Sequence, residues 1–101
     1  MTAYERMEPK ERYDQIIGIA LEMAERKHFL SVTPSKVGAL AGCTKSLVSH
    51  YLGNLDSIQA IILQEAINRG IESIIEQGQR LDMITNAGNL KKRVKELIKI
   101  N

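Results

Sequence analysis

Residues 34–52 read PSKVGALAGCTKSLVSHYL, a stretch that parses as two short helices turning about one glycine. Thr33 is a good N-cap, and Pro34 suits a first helical position, where its missing N–H would have no partner anyway. Val37, Leu40 and Ala41 then fall on an inward face. Gly42 ends this helix, since glycine enters the left-handed region without steric cost. Thr44 can cap the next helix, Lys45 to Tyr51, and Gly53-Asn54 breaks the chain again with Asn54 as another cap. Two helices crossing this closely need a very small residue at the crossing and shared apolar contacts at fixed offsets. Gly38 is the small residue, and Val37, Ala41, Cys43, Val48 and Tyr51 fill the apolar places. Each steric demand of a helix-turn-helix is met.

Upstream of this stretch, a first helix is expected from about Pro9 to Lys27–His28. Tyr13, Ile16, Ile17, Ala20, Leu21 and Ala24 recur at helical spacing, and Glu11, Asp14, Glu22, Glu25 and Arg26 form the solvated face. Phe29 or Leu30 closes over the core. Downstream, the spacing predicts one long helix from Leu55 to Arg80. Its apolar positions (Ile58, Ile61, Ile62, Ala66, Ile67, Ile71, Ile74, Ile75) spread wider than one stripe, so it is buried on two sides, against the first three helices and against something else. Gly70 and Gly78 fit either a close helix–helix approach or a frayed end, each costing about 1 kcal/mol relative to alanine. Asn86-Ala87-Gly88-Asn89 reads as a turn. A final amphipathic helix comes last, with Leu90, Val94, Leu97 and Ile98 on one face and Lys91, Lys92, Arg93, Lys95 and Lys99 elsewhere.

Composition bounds the class. The chain of 101 residues has room for a single modest core. It is 44% hydrophobic and 26% charged, too apolar for a disordered chain. With 4% aromatic residues and no Trp, aliphatic side chains must fill the core, and with 2 Pro and 7 Gly and no strand-like alternation the fold is expected to be all-α. There is no apolar run of transmembrane length, the Met1–Arg12 segment is charged rather than signal-like, and the lone Cys43 has no disulfide partner. A cytoplasmic protein is expected.

The net charge of +2 is unevenly placed. Residues 31–55 hold Lys36 and Lys45 and no carboxylate, while residues 56–90 are net acidic and residues 91–101 strongly basic. A surface that meets nucleic-acid phosphates needs such an acid-free window, because each carboxylate would repel the backbone.

The stretch from Val32-Thr33 through Val37-Gly38-Ala39-Leu40-Ala41-Gly42-Cys43-Thr44-Lys45-Ser46-Leu47-Val48-Ser49-His50-Tyr51 to Gly53-Asn54-Leu55-Asp56 resembles the N-terminal DNA-binding domain of the TetR/AcrR repressors. The similarity runs from about Arg12, through Ile16, Ala20 and Ala24-Glu25-Arg26, to about Ile62, and is strongest at Ala41 to Tyr51 and Gly53 to Asp56. It implies a three-helix, homeodomain-like head over residues 1–55, and a helical dimerisation segment over residues 56–101, in one compact domain. It also implies roles. Thr33 and Thr44 would present hydroxyl and amide groups to phosphates, with Lys36 beside them. Lys45, Ser46 and Leu47 would face base edges in the major groove. Ser49, His50 and Tyr51 would contact the backbone, Tyr51 also anchoring its helix to the core. His28 stands where the family has Gly, Leu52 where Phe is common, and Leu55 where a phosphate-binding Lys is usual, which weakens the case for that last contact.

Family members carry a further ligand-binding helical set, so a pocket for a small-molecule inducer is not expected here. Ile67, Ile71, Ile74, Ile75, Val94 and Leu97 are left to pair two copies, and a homodimer on a palindromic operator is the expected remedy for the weakness of one short reading helix. The expected function is a ligand-independent transcriptional repressor, with its own promoter as a candidate target. The competing reading, raised by Leu55 and the broad fourth helix, is an interaction module that heterodimerises with a full-length regulator and antagonises it. No enzymatic constellation, cofactor motif, membrane anchor or metal-ligand spacing is present. Cys43 reads as a packing residue rather than a redox sensor. The C-terminal basic cluster could touch phosphates, pair with the acidic fourth helix in the dimer, or be a solvated face.

Overall fold

A computed structural model describes residues 8–98. Over these residues the fold is all-α, with six α-helices, one 3-10 turn and a single isolated β-bridge. The sequence positions Met1–Met7 and Lys99–Asn101, including the charged N-terminal segment and Lys99, lie outside the described residues.

Helix α1 spans Pro9–Arg26 and opens on a capping box, in which the Glu8 and Glu11 side chains each accept from the other's backbone N–H. It buries Ile16, Ile17, Ala20, Leu21 and Ala24, with Tyr13 half-buried beside them. Burial pushes the Tyr13 phenol above its ordinary pKa, and the nearby Glu65 carboxylate adds to the rise. A 3-10 turn at Phe29–Ser31 comes next. Phe29 is the residue that closes over the core, fully buried, while Leu30 stays exposed.

Helices α2 (Pro34–Ala41) and α3 (Lys45–Leu52) lie beyond this turn, then α4 (Leu55–Arg69). The expected single helix from Leu55 to Arg80 is two helices. Gly70 adopts φ +69 with nothing near its Cα that a side chain would strike. Ile71 N–H donates to the Ala66 carbonyl at 2.9 Å and Gly70 N–H to the Ile67 carbonyl at 3.3 Å, the paired bonds that end a helix on a left-handed glycine. Helix α5 then runs over Glu72–Arg80.

Gly78 has a different task from Gly70. A Cβ added there would lie 2.6 Å from Ile84 Cδ1 and 3.0 Å from Leu63 Cδ2, so the glycine makes room where α4, α5 and the segment after α5 meet. Of the two roles expected for these glycines, close approach applies to Gly78, whereas Gly70 takes neither and ends α4 in an ordered left-handed turn.

The C-terminal segment departs most from expectation. Residues 83–91 close on themselves rather than forming a simple turn into a helix. Ile84 and Leu90 form the antiparallel bridge, Thr85 N–H donates to the Asn89 carbonyl at 2.7 Å, and Lys91 N–H to the Met83 carbonyl at 2.9 Å. The predicted final amphipathic helix shrinks to one turn, α6, at Lys92–Lys95. Leu90 and Val94 are buried, and Leu97 is tied to α4 through its carbonyl, which accepts from Ser57 Oγ at 2.6 Å.

This segment supplies the second covering of the wide apolar helix. One core unites α1, α3, α4 and α5 with Ile84, Leu90 and Val94. Ile74 and Val94, expected at a dimer interface, are thereby spent inside the chain, at 0% and 1% exposure. Ile67, Ile71 and Ile75 are partly buried against the same core, and only Leu97 of the expected pairing residues is exposed.

Candidate nucleic-acid interface

The α2–α3 unit is held by caps, a terminator and one crossing. Thr33 Oγ1 accepts from Lys36 N–H at 3.2 Å and Thr44 Oγ1 from Leu47 N–H at 3.0 Å, so each helix has one of its orphan first-turn donors satisfied. Asn54 does the same for α4, its Oδ1 accepting from Ser57 N–H at 2.9 Å. Gly42 ends α2 at φ +72, and Cys43 N–H donates back to the Gly38 carbonyl at 3.0 Å.

Gly38 is where the two helices touch. A Cβ there would lie 2.8 Å from the Cys43 carbonyl oxygen and 3.3 Å from the Thr44 backbone, so any larger residue would push the start of α3 away. Val37, Ala41 and Val48 are buried, and Cys43 and Tyr51 pack partly buried against the core. The five apolar places expected from the spacing are thus all turned toward the interior. Leu40 is the exception to the predicted inward face. It is 67% exposed and lines an open groove of about 340 Å³ with Met23, Arg26, Lys27, Ser31 and Lys36. The cause is that α2 buries Val37, Gly38 and Ala41, a narrow stripe centred well to one side of Leu40.

The predicted site residues on this unit differ in exposure. Lys36, Thr44, Lys45, Ser46 and His50 are exposed, while Thr33, Leu47, Ser49 and Tyr51 are half-buried. Lys45 and Ser46 occupy the first turn of α3, so their backbone N–H groups have no intrahelical acceptor. Tyr51 stacks edge-on against His50, with centroids 5.2 Å apart, which joins the exposed ring to the anchored one. Lys36 bends back, donating from Nζ to the Ser31 carbonyl at 3.1 Å.

The electrostatics reflect the missing carboxylates. Ion pairs form on α1 (Lys10–Asp14, Arg26–Glu22), on α4 and α5 (Arg69–Glu65, Arg80–Glu76) and around Asp82. Among the described residues none pairs with Lys45, whose charge is left to solvent or to a ligand. No group of three potential metal ligands occurs among the described residues. Among them, too, no helix is long and apolar enough to cross a membrane.

Two structural residues carried no signal that the spacing could reveal. Gln77, on α5, accepts from Phe29 N–H through Oε1 at 2.9 Å and donates from Nε2 to the Ala24 carbonyl at 3.1 Å. Its one amide thus joins α5 to the end of α1 and to the 3-10 turn. Ser57 is buried and binds the C-terminal segment. Both contacts span about half the chain, beyond the reach of any local pattern.

Comparison of the chain with protein-family models, with curated proteins and with solved structures gives no match.

Proposed function

We propose that the protein is a sequence-specific DNA-binding transcriptional repressor of the cytoplasm, reading a palindromic operator as a homodimer and needing no small-molecule effector. One observation carries the reading. Two capped helices meet at a crossing that admits only glycine, and their outer surface presents Lys45, Ser46 and His50 with no carboxylate between residues 31 and 55. A short helix held this firmly by its neighbour is what major-groove reading requires, because base contacts depend on side chains fixed relative to the phosphates that position the head. In this proposal Lys45, Ser46 and Leu47 meet base edges, and Thr33, Lys36, Thr44, Ser49, His50 and Tyr51 meet the backbone. The two copies pair through the rims of Ile67, Ile71 and Ile75 and through Leu97.

Footprinting and gel-shift assays on the DNA upstream of the protein's own coding sequence test the proposal. Protection of an inverted repeat is expected, lost when Lys45→Ala and Tyr51→Ala are combined. Selective binding that survives this double substitution, or no selective binding at moderate salt, would sink it. A monomer mass at micromolar concentration by light scattering would remove the homodimer from the proposal. The exposure of Leu55, 45%, favours a second reading, an interaction module that antagonises a larger regulator. A stable heteromeric partner in a protein with no duplex affinity would select it.

A further inference from the structure

The basic cluster at the C-terminus divides into two kinds of cation. Lys91 Nζ lies 2.9 Å from Asp82 Oδ1, and Arg93 lies 3.6 Å from Asp82 Oδ2 while also donating to the Asp82 backbone carbonyl. These two fasten the turn to the loop before it. Lys92 and Lys95 are exposed and reach no carboxylate among the described residues, Glu96 included. One turn apart on α6, they lie on the same side of it.

The position of this turn is built, not left to a loose tail. Leu90 and Val94 are buried on either side of Lys92, and Ser57 Oγ holds the Leu97 carbonyl at 2.6 Å. Ser57 sits in the first turn of α4, and only Gly53 and Asn54 separate α4 from the end of α3. The chain just after the basic turn is therefore tied to the start of α4, which directly follows the C-terminal end of α3, whereas Lys45 stands at the N-terminal end of α3. Eight residues of helix separate those ends by about 12 Å, at 1.5 Å per residue. That length is comparable to the major-groove width of about 12 Å, whose two walls are lined by phosphates.

We propose that Lys92 and Lys95 form a second phosphate-contact surface for duplex DNA, placed at the opposite end of α3 from Lys45. The inference rests on the DNA-binding reading above and adds to it a contact supplied by the far end of the chain. The reading helix then has a cation toward each end, Lys45 meeting base edges at one and the Lys92/Lys95 pair meeting phosphate at the other, which orients the helix in the groove. Asp82 contributes by holding Lys91 and Arg93, which keeps the turn in place while Lys92 and Lys95 stay available for phosphate.

The salt dependence of binding separates this inference from the reading it rests on. The full-length protein is titrated with a short duplex of random sequence over a series of salt concentrations. Lys92→Ala/Lys95→Ala is compared with Lys36→Ala, a residue already assigned to the DNA backbone, and with Arg69→Ala, which removes a charge at the C-terminal end of α4, away from the basic turn. All of these side chains are partly or fully exposed, so the folds should survive. The slope of log affinity against log salt should flatten, per bound protomer, by about 1.8 for the Lys92/Lys95 pair and by about 0.9 for Lys36, with little change for Arg69. An unchanged slope for Lys92→Ala/Lys95→Ala beside a flattened one for Lys36→Ala overturns the inference and leaves the DNA reading standing. Flattening by about 0.9 in the Arg69→Ala control also overturns it, since net charge alone would then be responsible. No duplex affinity in the unaltered protein removes both.

Discussion

Gly42 and Gly70 end their helices in nearly the same backbone conformation, φ +72 and φ +69, each with open space where a side chain would stand. The helices beyond them are held in different ways. After Gly42 the next helix is capped by Thr44 and crosses directly on Gly38, with the limiting contact made by the Cys43 carbonyl. After Gly70 the next helix begins without a side-chain cap, and its closest approach, at Gly78, is to the Ile84 side chain. The first junction is thus backbone against backbone, whereas the second is packed by side chains. A backbone crossing fixes a helix while leaving its polar side chains available to a partner. A side-chain crossing uses up its apolar residues in the core. The α2–α3 region accordingly presents a polar outer face, while Ile74, Ile84 and Val94 of the later region are hidden.

Truncation in the region that spends its side chains inside should cost the most. Ile74→Ala removes a fully buried side chain from the common core and should cost about 2–5 kcal/mol in denaturant unfolding. Because the burial is within one chain, this cost should not vary with protein concentration. A cost that changes with concentration would instead place Ile74 between subunits and erase the contrast between the two regions.

The two packed glycines probe the same contrast directly. Gly38→Ala should cost about 1–3 kcal/mol, since the obstructing Cys43 carbonyl can yield only if the start of α3 moves. Gly78→Ala should cost less, because the obstructing atoms, Ile84 Cδ1 and Cγ1 and Leu63 Cδ2, all belong to side chains, and turning Ile84 about χ1 moves its clashing atoms without moving the backbone. Thermal or denaturant unfolding of the pair measures the order, and the reverse order would mean that the second junction is the stiffer one. Gln77→Ala comes next, at about 1 kcal/mol, by leaving Phe29 N–H and the Ala24 carbonyl without their partner. Hydrogen exchange should locate that loss at Phe29, and unchanged protection there would show that water replaces the amide.

How legible each part of the chain is depends on how local its cause is. Thr33, Gly38, Gly42, Thr44 and Asn54 act on neighbours within a few positions, so caps, crossing and terminator are all visible as spacing. The outer-face residues of α3 are visible for the same reason, since a helix with known ends has known faces. The break at Gly70 is not, because an isoleucine-rich pattern runs unbroken through it and a glycine two turns before another fits several roles. The closed loop at 83–91 leaves no local mark either. Its decisive bonds join Met83 to Lys91 and Gly78 to Met83, with no alternating pattern to announce them. Leu40 misleads for a third reason. Its spacing matches the inward face, but an eight-residue helix that buries only Val37, Gly38 and Ala41 presents too narrow a stripe to include it.

The mildest perturbation concerns the clasp that sets the C-terminal turn. Asp82 sits at φ +59 and is held below the ordinary carboxylate range, first by its hydrogen bond from Lys91, then by the Lys91 charge and, more weakly, by Arg93. A carboxylate whose folded pKa is depressed stabilises the fold above its unfolded pKa, about 3.9, and loses that contribution as pH falls through the lower folded value. Asp82→Asn is the informative variant, because asparagine also tolerates a left-handed backbone and leaves the carbonyl bond from Arg93 intact. At neutral pH the amides of Thr85 and Lys91 should exchange faster in the variant than in the parent protein. The difference should begin to close as pH falls below about 4 and vanish once pH has passed the lower folded value, where the parent carboxylate is protonated too. Added salt should narrow it at neutral pH, since the pair is exposed to solvent. A difference that persists unchanged into strong acid would assign the clasp to backbone geometry at Asp82 instead of to its charge.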